Sequence, residues 1–159
     1  MTIFFSSPLT GYKYFVPLAF RIQRAGGVAG YLHPESVYED PKCGRIRQEI
    51  YPRLRFHAQC VNALRLFDID SKIIYGLNVY GDRQAKVCFQ TMAKVYHPTT
   101  IDESLSRNSS DLPLPEERDG KGRLQLMGHP DRVVTVTDET LSIFAMVINL
   151  NSMILLILL

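Results

Sequence analysis

The stretch GGVAGYLHPESVYEDP, residues 26–41, sets one imidazole and three carboxylates (His33, Glu35, Glu39 and Asp40) within eight consecutive positions. Groups of these types pass protons to and from a substrate when their surroundings tune them toward neutral pH. Asp40 has a competing structural use. An aspartate directly before Pro41 marks a helix start, the carboxylate capping the first N–H groups and proline taking the first helical position. Capping explains Asp40 better than an acid–base pairing with Glu35 does. His33 is open to two readings, a cleft-facing side chain or a strand-end histidine bonded to nearby backbone.

The remaining reactive side chains lie apart. Cys43, Cys60 and Cys88 are odd in number and include no CxxC pair, which argues against a disulfide framework and a zinc site and fits a reducing cytoplasm. His57, His97 and His129 have no metal-like spacing with one another or with the cysteines.

The elements that must position the 26–41 stretch are legible on both sides of it. Tyr12, Phe15, Val16, Ala19 and Ile22 recur at helical spacing as one apolar stripe. Gly26-Gly27 supplies a helix stop, and Val28–Leu32 reads as a short strand covered on both faces. After the Asp40–Pro41 start, Ile46, Ile50 and Leu54 share a face, with Pro52 interrupting the run. From His57 to Tyr80 the pattern is of strands. Ile73, Tyr75, Leu77 and Val79 alternate with Ile74, Gly76, Asn78 and Tyr80, and the turn-prone 68–71 link makes the pair antiparallel. AKVCFQTMAKVYHP (85–98) is a weaker strand. SRNSSDLPLPEERDGKG (106–122) is a polar loop, and a strand at Arg132–Val136 then meets a helix capped by Asp138.

With 159 residues, 46% of them apolar and 21% charged, the chain is of single-domain size and globular in composition. A net charge of +2 does not by itself indicate nucleic acid. The amino terminus has no basic region ahead of its apolar residues and is a poor signal peptide. Leu141–Leu159 carries no charged side chain and meets the length of a membrane span, but Asn149, Asn151 and Ser152 interrupt it and no basic cluster flanks it. That tail reads as a chain cut short or out of frame.

The blocks YKYFVPLAFRI, GGVAGYLHPESVYEDPKCG, IYPRLRFHAQCVNAL and YGLNVYG, spread over residues 12–81, together resemble adenine-N6 DNA methyltransferases. The resemblance is to the large methylases of combined restriction–modification (type IIG-like) and phage-defence systems. There the corresponding blocks are LYKCFLPLAWRL, GGVxGLLHPEGVYDDPKGG, LYPRLRxHFQFQNE and SxNIYG. GHPDRVVTVTDETLSIFA (128–145) resembles the segment leading toward target recognition. The family binds S-adenosylmethionine with an FxGxG turn and seats adenine with NPPF or NPPY. Neither motif occurs here, and the glycines at 26–27 and 120–122 stand in the wrong context.

The resemblance implies an α/β fold. It would be a partial class I (Rossmann-like) methyltransferase sheet, the second half with its terminal antiparallel hairpin. Residues 1–100 would be the C-terminal half of the catalytic domain, 101–122 a polar loop, 123–145 a strand–helix segment and 146–159 an aberrant apolar tail. Ligands in such sheets lie beyond the carboxyl ends of the strands, so His33, Pro34, Glu35 and Tyr38 would line the cleft for a flipped adenine. Lys42, Arg45 and Arg53 would meet DNA phosphate, with a solvated surface as the simpler use. Tyr12 and Tyr14 would follow the missing loop, Tyr12 stacking on a base or packing in the core. Cys43 replaces a family glycine, which argues against a catalytic thiol. No residue is assigned to catalysis. The expectation is a cytoplasmic fragment of a methylase, inactive alone. Two rivals stand beside it: a DNA-binding or assembly subunit for a chain carrying the missing half, and a small protein anchored in a membrane by Leu141–Leu159.

Overall fold

The structure, a computed structural model, describes residues 11–106 and 113–150. Helix α1 (Tyr12–Ile22) leads into strand β1 (Ala29–Pro34) through a turn in which Gly26 takes φ +73°, a left-handed conformation that glycine accepts without strain. A crossover follows, made of the single turn α2 (Ser36–Glu39), a 3-10 turn at Pro41–Cys43 and helix α3 (Gly44–Ile50). Strand β2 (Leu54–Val61) then pairs with β3 (Ile74–Tyr80). After them come β4 (Cys88–Val95), α4 (Pro98–Ser106), β5 (Val134–Thr137) and α5 (Asp138–Leu150).

The five strands form one open sheet in the order β1-β3-β2-β4-β5. Only β2 and β4 are parallel neighbours; the other three pairings are antiparallel. The expected α/β class holds at the level of a mixed α/β fold, while the sheet is mostly antiparallel and its order is not that of a Rossmann sheet. The hairpin accounts for the difference. The short 62–73 link returns β3 beside β2, and β3 inserts between β2 and β1 instead of extending the sheet outward. Since β1 and β2 each run against β3, they point the same way.

Period-two alternation on β3 sends Gly76, Asn78 and Tyr80 to one face of the sheet and Tyr75, Leu77 and Val79 to the other. On the first face α1 and α3 close a core of Val16, Val37, Ile46, Ile50, Leu54, Tyr80 and Phe89. On the second, α4 places Ile101 over Ala58, Cys60, Met92 and Val95. Helix α4 begins inside the region expected to be strand and loop. Its inward positions include Thr100 and Ser104, whose hydroxyls bond to the Leu126 and Thr100 carbonyls, so its amphipathic signal is faint.

Three local expectations are corrected. The buried positions of α1 are Lys13, Val16 and Ala19, while Phe15 is 65% and Ile22 77% exposed. Lys13 is held inward by Asp40 and turns the helix away from its most apolar stripe. Strand β1 is covered on one face only, and Leu32 is 54% exposed. It is also an edge strand, with nothing paired beyond it among the described residues. At α5, Thr137 rather than Asp138 meets the first turn, its hydroxyl accepting from Thr140 N at 3.4 Å, while the Asp138 carboxylate accepts from Val87 N. Among the described residues no helix is long and apolar enough to cross a membrane; residues 151–159 of the Leu141–Leu159 tail lie outside them.

An uncovered edge strand flanked by exposed Val28 and Leu32 is a template for edge-to-edge pairing. The isolated chain is expected to associate with rising concentration, and Leu32→Lys to suppress this while changing the unfolding free energy by no more than about 0.5 kcal/mol. Sedimentation velocity checks it: equal association of the two proteins would exclude β1 as the route.

Candidate functional site

The loop that leaves the carboxyl end of β1 is built from its own sequence. Asp40 caps the 3-10 turn, Oδ1 accepting from Lys42 N at 2.9 Å with Pro41 in the first position, as the sequence predicts. That hydrogen bond first, and the Lys13 ammonium second, hold the Asp40 carboxyl below its ordinary value. Arg47 reaches back from α3 to the same loop. One guanidinium nitrogen donates to the carbonyls of Val37, Tyr38 and Asp40 at 3.0, 3.2 and 2.7 Å. These contacts tie the loop to α3 through Arg47.

Of the residues expected to line a cleft, His33 and Glu35 are each only 5% exposed and turn into the sheet; Tyr38 is half-buried and Pro34 exposed. Glu35 reaches across Gly76 to His57 on β2, whose Nε2–H lies 3.1 and 3.2 Å from the two carboxylate oxygens. The other ring nitrogen of His57 meets the Thr91 hydroxyl on β4 at 2.9 Å. Glycine at 76 makes the crossing possible. A Cβ there would come 2.3 Å from Glu35 Oε1 and 2.8 Å from Asn78 Nδ2.

His33 belongs to a second set of bonds on the same face. A carbonyl oxygen can only accept, so Nδ1–H donates to Pro34 O at 2.9 Å, and Nε2 is left to accept from the Tyr80 hydroxyl at 2.9 Å. Tyr38 donates to Asn78 Oδ1 at 2.5 Å. The two tyrosine oxygens then approach to 3.2 Å with both their protons already committed. Burial pushes the His33 imidazole below its ordinary value and keeps it neutral, while the same burial pushes the Tyr38 and Tyr80 phenols up. Asn78 Nδ2 is the buried side-chain nitrogen left without a partner among the described residues. Tyr12 stacks on His33 with centroids 5.5 Å apart and meets the Ser36 hydroxyl at 2.5 Å, which is the packing role.

Glu35 and Asp40 do not work as a pair, since one faces His57 and the other Lys13. Lys42 and Arg45 are exposed, free to meet an anion, whereas Arg53 pairs with Glu49 at 2.7 Å and lies 4.9 Å from the Phe20 ring centroid. His97 bonds to Thr99, and His129 caps the turn at Pro130. No group of three His, Cys, Asp or Glu side chains among the described residues could hold a metal ion. A shallow groove of about 530 Å³, lined in part by Ile22, Gln23, Gly26, Val28 and Tyr31, sits at the amino end of β1, away from this loop. The arrangement is a buried acid–base network that sets the shape of the loop, with Pro34, Glu39 and Lys42 on the outer surface.

No protein-family model matches this chain, no curated protein is similar to it, and no solved structure matches it.

Two outcomes follow from the network. Gly76→Ala forces the buried Glu35 carboxylate off His57 and is expected to cost about 2 kcal/mol in urea unfolding; a change under about 0.5 kcal/mol would show that the carboxylate relaxes freely. The lowered His33 value sets a sign with pH. The unfolded chain takes up a proton below about 6.5 that the folded chain refuses, so His33 contributes a loss of stability as pH falls through that value. His33→Gln, which retains an acceptor for Tyr80, should flatten the dependence of the urea midpoint on pH in that window. An unchanged slope would assign it to other groups.

Proposed function

We propose that the chain is the C-terminal part of the catalytic domain of an adenine-N6 DNA methyltransferase, inactive by itself. The parent reaction transfers a methyl group from S-adenosylmethionine to the exocyclic amine of adenine in DNA. The observation that carries the reading is the β1–crossover–β2 unit, two strands in the same direction with β3 returning between them. A sheet of parallel strands that finishes in an antiparallel hairpin is what the resemblance implies. All four resembling blocks meet in this one unit: α1, the 26–44 loop, the α3–β2 segment and β3. One of the two open edges lies on β1, the side on which the cofactor-binding strands of such a sheet would pair.

In this reading His33, Glu35 and Tyr38 shape the wall of the adenine cleft from inside, and Lys42 and Arg45 face phosphate. Methyl transfer needs a polar clamp on the amine, and the NPPF or NPPY residues that supply it are missing, as is the FxGxG turn for the cofactor. The chain's own residues position and exclude; none activates the amine.

A second reading, an assembly subunit that completes a separately encoded half, draws support from the apolar surface beside the open edge. Phe15, Leu18, Ile22 and Val28 are all exposed there. One experiment separates the two. The purified chain is assayed with tritiated S-adenosylmethionine and adenine-containing duplexes, alone and after co-expression with an N-terminal methylase half that carries both motifs. No incorporation alone is expected from either reading. Co-purification with restored incorporation supports the subunit; no association supports a remnant. Methylation by the chain alone would overturn both.

A further inference from the structure

Lys13 is 4% exposed on the first turn of α1, and lysine is rarely so buried unless paired. Its Nζ donates to Asp40 Oδ2 at 3.0 Å and to Cys43 Sγ at 3.2 Å. The Cys43 thiol donates in turn to the same Asp40 oxygen at 3.5 Å. Amine, thiol and carboxylate thus close a triangle that joins α1 to the crossover between β1 and β2. Cys43 is fully buried at its base, and the Asp40 side chain, 31% exposed, forms its rim. Burial opposes the charge on Lys13, yet the hydrogen bonds to Cys43 and Asp40 outweigh it and hold the amine above the ordinary lysine value. The other two thiols stand apart: Cys60 is buried under the second sheet face, its thiol pushed up to about 11 by burial, and Cys88 is exposed.

We propose that Lys13 and Cys43 are an oxidation-sensitive pair that hydrogen peroxide converts into a covalent sulfur–nitrogen link. In the first step the Cys43 sulfur attacks one peroxide oxygen. The O–O bond breaks, an S–O bond forms, and the second oxygen leaves as water with the thiol proton. Sulfur loses two electrons and peroxide gains them, giving a sulfenic acid. In the second step the Lys13 ammonium loses a proton to water at the exposed Asp40 rim, and its freed lone pair attacks sulfur. The S–O bond breaks, and the departing hydroxyl leaves as water with a second nitrogen proton. Sulfenic acids condense with backbone nitrogen in the same way, and here a side-chain nitrogen already touches the sulfur. The product staples α1 to the loop-bearing crossover, 30 residues on.

The test uses the full chain with Cys60→Ala and Cys88→Ser, treated with peroxide, digested and read by fragment mass spectrometry. Expected is a peptide joining residue 13 to residue 43, lighter by two hydrogens than the sum of its parts and released by dithiothreitol. The linked protein should melt about 10 °C higher, since the link closes a long loop in the unfolded chain. Lys13→Arg preserves the pairing with Asp40 but cannot condense, so Cys43 should stop there as a dimedone-reactive sulfenic acid. Should that variant fail to fold, the same treatment in urea decides, because a contact set by the fold yields no link there. The proposal is overturned if Cys43 is recovered from the buffer-treated chain unlinked, whether unmodified, sulfenic or sulfinic. It is overturned equally if the link forms as well in urea.

Discussion

The fold turns on a carboxylate that crosses a strand. Glu35 leaves the end of β1, passes over β3 where Gly76 has no side chain, and meets His57 on β2. Because β3 separates β1 from β2, no backbone hydrogen bond joins those two strands, and this side-chain bridge links them directly. His57 extends it to Thr91 on β4, so a chain of three polar side chains spans four of the five strands. A buried pair of this kind gains little over an apolar packing of equal volume, but breaking it leaves a charge without compensation. Its consequence here is geometric: the loop from Pro34 to Asp40 starts from one fixed point.

The second fixed point is Arg47, and the third is Lys13. Arg47 gathers the carbonyls at 37, 38 and 40 from below, and Lys13 grips the Asp40 carboxylate from α1. A loop held by two cations and one internal carboxylate–imidazole hydrogen bond is fixed in place without any regular secondary structure longer than a turn. A loop so fixed is compatible with a wall and poorly suited to a proton shuttle, whose acid or base must reach solvent or substrate. His33 and Glu35 are on the wrong side of the wall for that task.

Legibility in the sequence followed range. The helix at Tyr12–Ile22, the Asp40–Pro41 cap and the antiparallel β2–β3 pair are written in neighbours a few residues apart, and all are present, whereas the helix stops not at Gly26-Gly27 but at Ile22, with an extended Gln23 as its cap. What the sequence hid was long-range. Nothing local tells that β3 inserts beside β1, nor that Glu35 finds a partner 22 residues on. The buried face of α1 was misjudged because periodicity scores Lys13 as a surface residue, and only Asp40, 27 residues away, turns it inward. One sign of the crossing was present. A glycine inside the alternating run IIYGLNVY marks a place where something approaches closely. Arg47 had no comparable sign, since an arginine on a helix flank looks the same whether it faces water or carbonyls.

These constraints also hold the edge strand β1 to the rest of the sheet. Strand β1 stands at an edge, its outer backbone groups without a partner strand among the described residues. Yet β1 is tied inward along its whole length by the six-residue register with β3 from Ala29–Tyr80 to Pro34–Tyr75. It is tied again at its end by His33 to Tyr80 and by Glu35 to His57. The inward edge of β1 is therefore fully paired, while its outer edge stays open among the described residues, as does that of β5 at the far end of the sheet. The exposed Phe15, Leu18 and Ile22 of α1 lie outside that inward packing.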